Sequence, residues 1–263
     1  MIDSHCHLNC LSLDDLTLNQ VIQRAYEVGV EYILCPGIEP TQFESILEIA
    51  RQYPTVKAGL GIHPNDVNQF SMSEDELYDW IDRPEVIAVG ETGLDYYRDS
   101  ASQSLQQSQF RQHIRVSKAL NKPLIIHARD AHQDVLKILK EEDSGPAVMH
   151  CFTDTLETAE AAIDLGCLIS FSGIITFKNA SDLRAVVQAL PLNRLLIETD
   201  APYLAPVPFR GQSNFPEYVI YVAQKVAELK EVSLETVIEA TSSNFKQLFG
   251  WPYSDSGVAT SIE

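Results

Sequence analysis

The sequence predicts a single (β/α)8 barrel, and three observations support that prediction. Eight short apolar runs alternate with longer amphipathic segments along the chain. Most of the runs are continuously apolar, which is typical of parallel strands covered on both faces. The length of 263 residues is close to the usual size of this fold. A doubly wound open sheet is the alternative, but its Gly-rich phosphate loop does not follow the first run.

The elements are predicted from these runs and from the periodicity between them. Strands are predicted at 2–8, 31–36, 56–62, 86–92, 123–128, 146–152, 167–172 and 195–200. Helices are predicted at 14–28, 41–52, 73–82, 102–120, 130–141, 155–165, 180–189, 216–229 and 233–249. Residues 1–253 therefore form one predicted domain. The polar, aperiodic segment 254–263 is predicted to be a disordered tail.

Composition narrows the possible functions. The chain has 19 Lys and Arg against 37 Asp and Glu, a net charge of −18. This balance disfavours a nucleic-acid binder that uses a broad basic patch, but not an enzyme whose metal ions meet phosphate locally. The five scattered cysteines contain no CxxC pair, which favours reduced thiols in a cytoplasmic protein. No signal peptide, membrane span or obligatory protein partner is evident.

The chain opens with MIDSHCHLN, which places two histidines two residues apart. In an extended segment, residues i and i+2 point to the same face. We therefore expect His5 and His7 to point together and Cys6 to pack on the opposite face, towards the helices. Adjacent imidazoles are a common beginning of a metal site.

Other metal-capable residues follow later strands, at the end of the barrel where catalytic groups are expected. They end the third, fourth, fifth, sixth and eighth predicted strands: His63, Glu91, His127, His150 and Asp200. Each alone has an ordinary structural explanation, but their coincidence on one rim predicts a metal site. The other two histidines, His113 and His132, lie within helical patterns and are predicted to be solvated and without function.

Imidazole and carboxylate ligands suit borderline divalent ions such as Zn²⁺, with Mn²⁺ or Mg²⁺ as alternatives. Six ligands are too many for one tetrahedral ion that keeps an open position. Two divalent ions about 3.5–4 Å apart would use them all. The predicted division is His5, His7 and Asp200 on one ion, His127 and His150 on the other, and Glu91 between them.

Several motifs occur in a recognisable order: MIDSHCHL, GLGIHP, VGETGLDYYR, PLIIHARDA, HCF, SFSG, LLIETDAPYLAP and RGQSN. In this order they resemble the TatD family of metal-dependent deoxyribonucleases, within the amidohydrolase superfamily. The resemblance extends from residue 1 to about residue 250. It implies a TIM barrel, one or two divalent metals, and phosphodiester hydrolysis that is often exonucleolytic on DNA. It also implies ligands at the same six positions, with Glu91 where many amidohydrolases have a carboxylated lysine.

One stretch departs from the family pattern. The usual RGKxNEP reads RGQSNFP at 210–216. Gln212 and Phe215 thus replace a basic and an acidic residue beside the expected active-site mouth. The departure concerns the substrate and leaves the ligand set intact.

The predicted reaction is hydrolysis of DNA phosphodiester bonds, at a strand end or in a single strand, by a metal-activated hydroxide. Asp200 and Glu91 are the predicted catalytic carboxylates, with Asp200 as the proton acceptor. Glu198 lies deeper on the same face and is predicted to support a ligand. Three side chains are predicted to bind the substrate phosphate: His63, Arg129 and Arg210.

Two other functions remain open. The same metal centre could hydrolyse another ester or amide, such as an aminoacyl-tRNA ester or a small phosphoester. The net charge of −18 and the residue Gln212 favour this alternative. A non-catalytic barrel acting as a binding or assembly protein is the other, but a scaffold has no need of six metal ligands on one rim.

Overall fold

Eight parallel strands lie side by side in the order of the sequence, each hydrogen-bonded to the next. The structure is a computed structural model that describes residues 1–13, 15–98 and 101–251, so the predicted tail at 254–263 lies outside it. The strands are β1 (Ile2–Asp3), β2 (Tyr32–Pro36), β3 (Val56–Leu60), β4 (Val86–Asp95), β5 (Leu124–Arg129), β6 (Ala147–Met149), β7 (Cys167–Phe171) and β8 (Leu195–Ile197). The predicted (β/α)8 barrel is confirmed.

The first and last strands close the barrel beyond their regular ends. The backbone N–H of Asp200 donates to the carbonyl of His5 at 2.9 Å, and that of His7 donates to Ala201 at 2.9 Å. The regular part of β1 is shorter than the predicted 2–8, because the chain pairs only intermittently after Asp3 and then enters a 3₁₀ turn. Barrel closure therefore involves the backbone of the candidate metal ligands themselves.

Helices alternate with the strands, close to the predicted ranges. They are α1 (Leu18–Glu27), α2 (Phe43–Gln52), α3 (Glu74–Ile81), α4 (Gln103–Leu120), α5 (His132–Glu141), α6 (Leu156–Asp164), α7 (Ser181–Ala189), α8 (Val219–Lys230) and α9 (Leu234–Phe249). Five begin at a hydroxyl that accepts a backbone hydrogen bond from the third helical residue: Thr17, Ser73, Ser102, Thr155 and Ser233. Within the described ranges, no helix combines the length and apolar character needed to cross a bilayer.

The strands alternate between two apolar layers. Their outward residues pack under the helices, and their inward residues form a second cluster inside the barrel. The inner cluster contains Ile2, Leu34, Ile87, Ala88, Ile125, Val148, Leu168 and Leu196. Phe245, Phe249 and Trp251, on and just after α9, pack against it. The lower interior of the barrel is thus filled with apolar side chains. The mouth, at the carboxyl ends of the strands, is left for polar ones.

Two helix histidines are buried, and the prediction that they are solvated is wrong. His113 on α4 has no exposed surface. Its Nδ1 donates to the carbonyl of Gln109 at 2.7 Å, and its Nε2 accepts from the N–H of Ile62 at 3.0 Å. His132 at the start of α5 is also buried, and its Nδ1 lies 2.5 Å from Oδ2 of Asp154. Both imidazoles therefore join separate elements of the fold.

Candidate metal centre

The side chains of the centre continue the inward face of the strands. On β5, His127 follows the inner-cluster residue Ile125 by two positions. Just after β6, His150 follows Val148 by the same spacing. Residues two apart on a strand share a face, so the alternation that fills the lower barrel also brings these imidazoles to the mouth.

Strand β4 contributes Glu91 through an irregularity in its pairing. The register between β4 and β5 shifts between residues 89 and 92, and the strand continues to Asp95 rather than ending at the predicted 92. Gly93 lies between Glu91 and Asp95 in the sequence and has a positive φ of +138°. A Cβ at this position would clash with the carbonyl oxygen of His127. The backbone conformation of residues 91–95 (ETGLD) therefore allows this stretch, with its two carboxylates, to pack closely against strand β5.

The Glu91 carboxylate lies between two pairs of imidazoles. Its Oε2 is 3.3 Å from Nε2 of His5 and 3.6 Å from Nε2 of His7. Its Oε1 is 2.8 Å from Nε2 of His150 and 3.0 Å from Nδ1 of His127. Each oxygen of one carboxylate thus contacts a different pair, the geometry of a bridging group.

Asp200 completes one side of the centre. Its Oδ1 is 3.5 Å from Nε2 of His7 and 3.8 Å from Nε2 of His5, and the two Nε2 atoms are 3.2 Å apart. One ligand atom from each of these three residues lies within 4.8 Å of the others, close enough to hold one ion. On the other side, Nε2 of His150 and Nδ1 of His127 are 3.4 Å apart.

The hydrogen bond of His7 determines which of its nitrogens faces the centre. Its Nδ1 lies 3.2 Å from the carbonyl oxygen of Pro36. A carbonyl can only accept, so the imidazole carries its proton on Nδ1 and turns the Nε2 lone pair inward. This is the orientation that a metal ligand requires.

Two carboxylates orient the imidazoles on the other side in the same way. Oε1 of Glu198 lies 3.3 Å from Nδ1 of His150, and Oδ2 of Asp95 lies 3.2 Å from Nε2 of His127. Each carboxylate attracts a proton to the outer nitrogen and leaves the inner one with a lone pair. Lone pairs that face one another across 3.4 Å repel unless a cation lies between them, so this donor set fits a metal ion.

His63 has the opposite tautomer. The backbone N–H of Asn65 donates to its Nδ1 at 3.1 Å, so the proton of the neutral ring is on Nε2. That Nε2 lies 3.4 Å from Oε1 of Glu91. Burial, followed by the neighbouring His127, lowers the pKa of His63 to about 4, so the ring is neutral at pH 7. His63 is close enough to the centre to be a metal ligand, but it presents an N–H hydrogen-bond donor to the barrel mouth.

The two central carboxyls are ionised at neutral pH. Burial would raise the pKa of the Glu91 carboxyl, but the surrounding imidazoles, first among them that of His150, hold this pKa well below its ordinary value. Burial likewise opposes ionisation of Asp200, but the adjacent imidazoles, first among them that of His7, lower the pKa of that carboxyl. The Asp200 side chain is 13 % exposed, against 4 % for Glu91, so Asp200 is the carboxylate that meets solvent.

The sequence analysis missed the residues that hold Asp200 in place. The Asp3 carboxylate accepts from the N–H of Thr199 at 2.9 Å and from its Oγ1 at 2.6 Å. The amide of Asn214 donates to the carbonyls of Thr199 and Tyr203, at 2.8 and 2.6 Å. Burial raises the pKa of Asp3 to about 8 in spite of the Thr199 bonds. The signal available in the sequence was Asp3 itself, an acidic residue within the otherwise apolar first strand.

The two arginines predicted to bind substrate stack on aromatic rings. The guanidinium carbon of Arg129 is 3.8 Å from the ring centroid of Tyr97, and that of Arg210 is 3.7 Å from Phe177. Neither forms an ion pair with a residue that the structure describes. Arg129 follows His127 by two positions on β5 and faces the mouth, whereas no contact joins Arg210 to the described ligands.

The loop that departs from the family pattern is packed by aromatic rings. Phe209 stacks on Tyr218 at 4.1 Å between ring centroids, and Phe215 meets the same ring edge-on at 6.1 Å. Gln212 is exposed. Phe215 thus contributes packing within the loop where the family pattern has a charge.

Fold and site together define a class of protein. A (β/α)8 barrel that gathers four imidazoles and two carboxylates at the carboxyl ends of its strands, with the lone pairs of His7, His127 and His150 turned inward, is the arrangement of barrel metal-dependent hydrolases.

Comparison with known proteins then identifies the family. The family model described as TatD related DNase matches residues 2–250. The chain is 42% identical over 255 residues to YabD of Bacillus subtilis, an uncharacterized metal-dependent hydrolase, covering 95% of this chain and 98% of that protein. It is 42% identical over 254 residues to the similarly described YcfH of Escherichia coli K12, covering 95% of each. The chain belongs to the TatD family and is a metal-dependent hydrolase.

Solved structures agree with this family assignment. The crystal structure of YjjV, a TatD homologue from Escherichia coli K12, superposes with a TM-score of 0.91 at 33% identity, covering 96% of this chain and 98% of that one. A TatD family hydrolase from Entamoeba histolytica has a TM-score of 0.83 at 23% identity, covering 95% and 97%, and shares the fold. The predicted family resemblance is confirmed.

Proposed function

We propose that this hydrolase is a two-metal phosphodiesterase that cleaves DNA at a strand end or in a single strand. The proposal rests on one observation, the Glu91 carboxylate whose two oxygens contact separate imidazole pairs. Two ions about 3.5–4 Å apart serve both the attacking and the leaving oxygen of a phosphoryl displacement. The division of ligands would be His5, His7 and Asp200 on one ion, His127 and His150 on the other, and Glu91 on both.

The protein residues have separate roles in this reaction. Bound divalent ions, Zn²⁺, Mn²⁺ or Mg²⁺, would polarise a phosphoryl oxygen and lower the pKa of water. Asp200, ionised and partly exposed, would accept the proton of the attacking water. The Nε2–H of His63 would donate to a phosphate oxygen, and the guanidinium of Arg129, which has no ion-pair partner among the described residues, would add a charged fork.

Hydrolysis of an aminoacyl-tRNA ester or a small phosphoester is the second candidate. Two observations favour it: the net charge of −18, which repels a long polyanion, and the exposed Gln212 where the family pattern has a lysine. An ester carbonyl or a phosphoryl oxygen would be polarised in the same way by the same centre.

A substrate panel tests the proposal. Single strands labelled at the 5′ or 3′ end, duplex DNA, aminoacyl-tRNA and small esters would be incubated with one preparation in Mg²⁺, Mn²⁺ and Zn²⁺. We expect single-strand cleavage from a labelled end that chelator abolishes and that a Glu91→Gln variant lacks. Turnover of aminoacyl-tRNA or small esters without any DNA cleavage would replace the proposal with the second candidate.

A further inference from the structure

Two highly exposed tyrosines lie on opposite sides of the centre. Tyr203 is 55% exposed and follows Asp200 by three residues, with its ring 6.2 Å from that of His7. Tyr97 is 63% exposed and lies on the other side, where its backbone N–H donates to Asp95 at 3.0 Å, the carboxylate that orients His127. The barrel mouth therefore has an uncovered ring beside each half of the metal centre.

Tyr97 differs from its neighbour Tyr96 in how its hydroxyl is held. The neighbouring Tyr96 shows the contrast, because its hydroxyl donates to Asp134 at 2.8 Å and accepts from Gln107 at 2.8 Å. The hydroxyl of Tyr97 makes no hydrogen bond with a residue that the structure describes. A single exposed ring is common on protein surfaces, so a binding role for Tyr97 and Tyr203 rests on their position beside the metal centre.

The charge around Tyr97 indicates what its ring meets. The guanidinium of Arg129 covers one face of the ring at 3.8 Å, and its charge is not neutralised by any acidic group of the described chain. Arg98, bonded through its backbone N–H to Asp95 at 3.1 Å, is also without an ion pair there. On a protein of net charge −18, a π-face backed by cations that have no ion-pair partner among the described residues fits an aromatic ring joined to an anion.

We infer that Tyr97 and Tyr203 are stacking surfaces for the two unpaired nucleobases that flank the scissile phosphate. The inference rests on the proposed function and assigns the residues that would hold the bases of its single-stranded substrate. A phosphate at the centre has one nucleoside on each side, and the Tyr203 ring lies beside His7 whereas the Tyr97 ring stacks on Arg129, which follows His127 on β5. Bases in a duplex are already stacked and paired, so only a single strand or a frayed end can offer them to these rings.

Binding of a cleavage-resistant strand tests the inference. The probe is a short phosphorothioate single strand that carries 2-aminopurine, whose fluorescence is quenched by stacking, with Mn²⁺ saturating. We expect Tyr97→Leu and Tyr203→Leu each to weaken binding by about tenfold or more and to reduce the quenching, since base–aromatic stacking accounts for that range. Tyr97→Phe and Tyr203→Phe keep a π-face and should bind like the parent protein.

Tyr26→Leu is the matched control, because Tyr26 on α1 is 62% exposed and makes no contact with the described ligands. It should change neither affinity nor quenching. An abasic strand of the same length should bind the parent protein at least as weakly as the ordinary strand binds either leucine variant. DNA and RNA versions of the probe distinguish the two kinds of strand, and metal content and circular dichroism verify that every variant is folded.

The result overturns the inference if the leucine variants bind and quench like the parent, or if the abasic strand binds as tightly as the base-bearing one. Cleavage of ordinary DNA is measured separately, which distinguishes failure of the inference from failure of the proposed function. Cleavage that is insensitive to both tyrosines removes the inference alone. Tyrosine-dependent binding without cleavage in any metal supports the inference and removes the proposed phosphodiesterase.

Discussion

His5 and Asp200 are joined twice across the seam of the barrel. The backbone N–H of Asp200 donates to the His5 carbonyl at 2.9 Å, and Oδ1 of Asp200 lies 3.8 Å from Nε2 of His5. The hydrogen bonds that close the barrel therefore also position one half of the centre. An ion held by both side chains would bind only the closed barrel, so metal binding and stability are expected to be linked.

Replacing Asp200 by asparagine keeps the shape of the side chain but removes its charge and its proton-accepting ability. We expect hydrolysis to fall about 10²-fold or more, the usual contribution of general-base catalysis, while circular dichroism remains unchanged. Asp143→Asn is the matched control, since both aspartates have positive φ, 55° and 47°, which asparagine tolerates. Asp143 is fully exposed, and its ion-pair partner is Lys118 rather than any candidate ligand. Equal losses in the two variants would contradict the assignment.

Glu91→Gln should weaken the binding of both ions, because each oxygen of Glu91 contacts a different pair of imidazoles. Asp200→Asn removes a ligand from one side of the centre only, so it should mainly weaken the binding of one of the two metal ions. Metal content after equilibration at limiting metal, measured by atomic emission, checks both expectations. A Glu91→Gln protein that retains two ions with unchanged affinity would rule out a bridging carboxylate.

Asp95→Asn tests the orientation of His127. The neutral amide can no longer attract the Nε2 proton by charge, so His127 should be a poorer ligand. Loss of such an orienting carboxylate typically lowers metal affinity about 10- to 100-fold. Asp134→Asn is the control, because Asp134 also accepts side-chain hydrogen bonds but makes none with the described ligands. Competition with a fluorescent chelator measures the affinity, and equal affinities in the two variants would show that Asp95 has no such role.

Much of the centre could be predicted from the sequence because it follows strand alternation. His127 and His150 each lie two residues after an inward apolar residue, a spacing visible in the sequence. Glu91 does not follow this simple spacing rule, because the consecutive residues Ile87 and Ala88 both belong to the inner cluster and the register of β4 shifts against both β3 and β5. Pairing between strands decides such a shift, and a single strand's sequence does not reveal it.

Asp95 and His113 were not predicted for different reasons. The apolar run that predicts the fourth strand ends near residue 92 in the sequence, whereas pairing with β5 extends the strand to Asp95. His113 follows Phe110 by three residues and shares its buried face of α4, so a signal existed. Its polarity suggested solvent because the partner N–H belongs to Ile62, on a distant part of the chain.

The burial of His113 predicts a pH dependence of stability. Desolvation lowers its pKa from 6.5 to about 4, so the folded state favours the neutral ring. The unfolded chain binds the extra proton between these values, so this stabilisation is complete above pH 6.5 and is lost as the pH falls towards 4. At 1.36 kcal/mol per pKa unit the loss is about 3 kcal/mol.

His113→Gln removes this titration and provides the comparison. Denaturant unfolding of both proteins, with chelator present to exclude linkage to metal, would be measured from pH 7 to pH 4. The free energy of unfolding should decrease more steeply in the parent protein than in the variant. At pH 7 the variant should be less stable, because Ile62 and Gln109 lose their hydrogen-bond partner. Parallel pH profiles would show that His113 is not buried as a neutral ring.

The salt dependence of strand binding distinguishes a local phosphate site from a basic groove. In the proposed function the ions hold one phosphate, and Arg129 with Arg210 can neutralise few others. Each neutralised phosphate of a single strand contributes a slope of about −0.7 in log affinity against log salt, so we expect a total of about −1 to −2. Binding of the phosphorothioate strand across a salt series, with metal saturating, gives this slope.

Arg129→Gln should make this salt dependence shallower by about 0.7. Arg51→Gln, whose arginine is already paired with Glu44 and Glu85, should leave it unchanged. A slope several-fold steeper would require a basic track elsewhere on the protein, and no measurable binding would favour the ester substrates, since these need no contact with a strand.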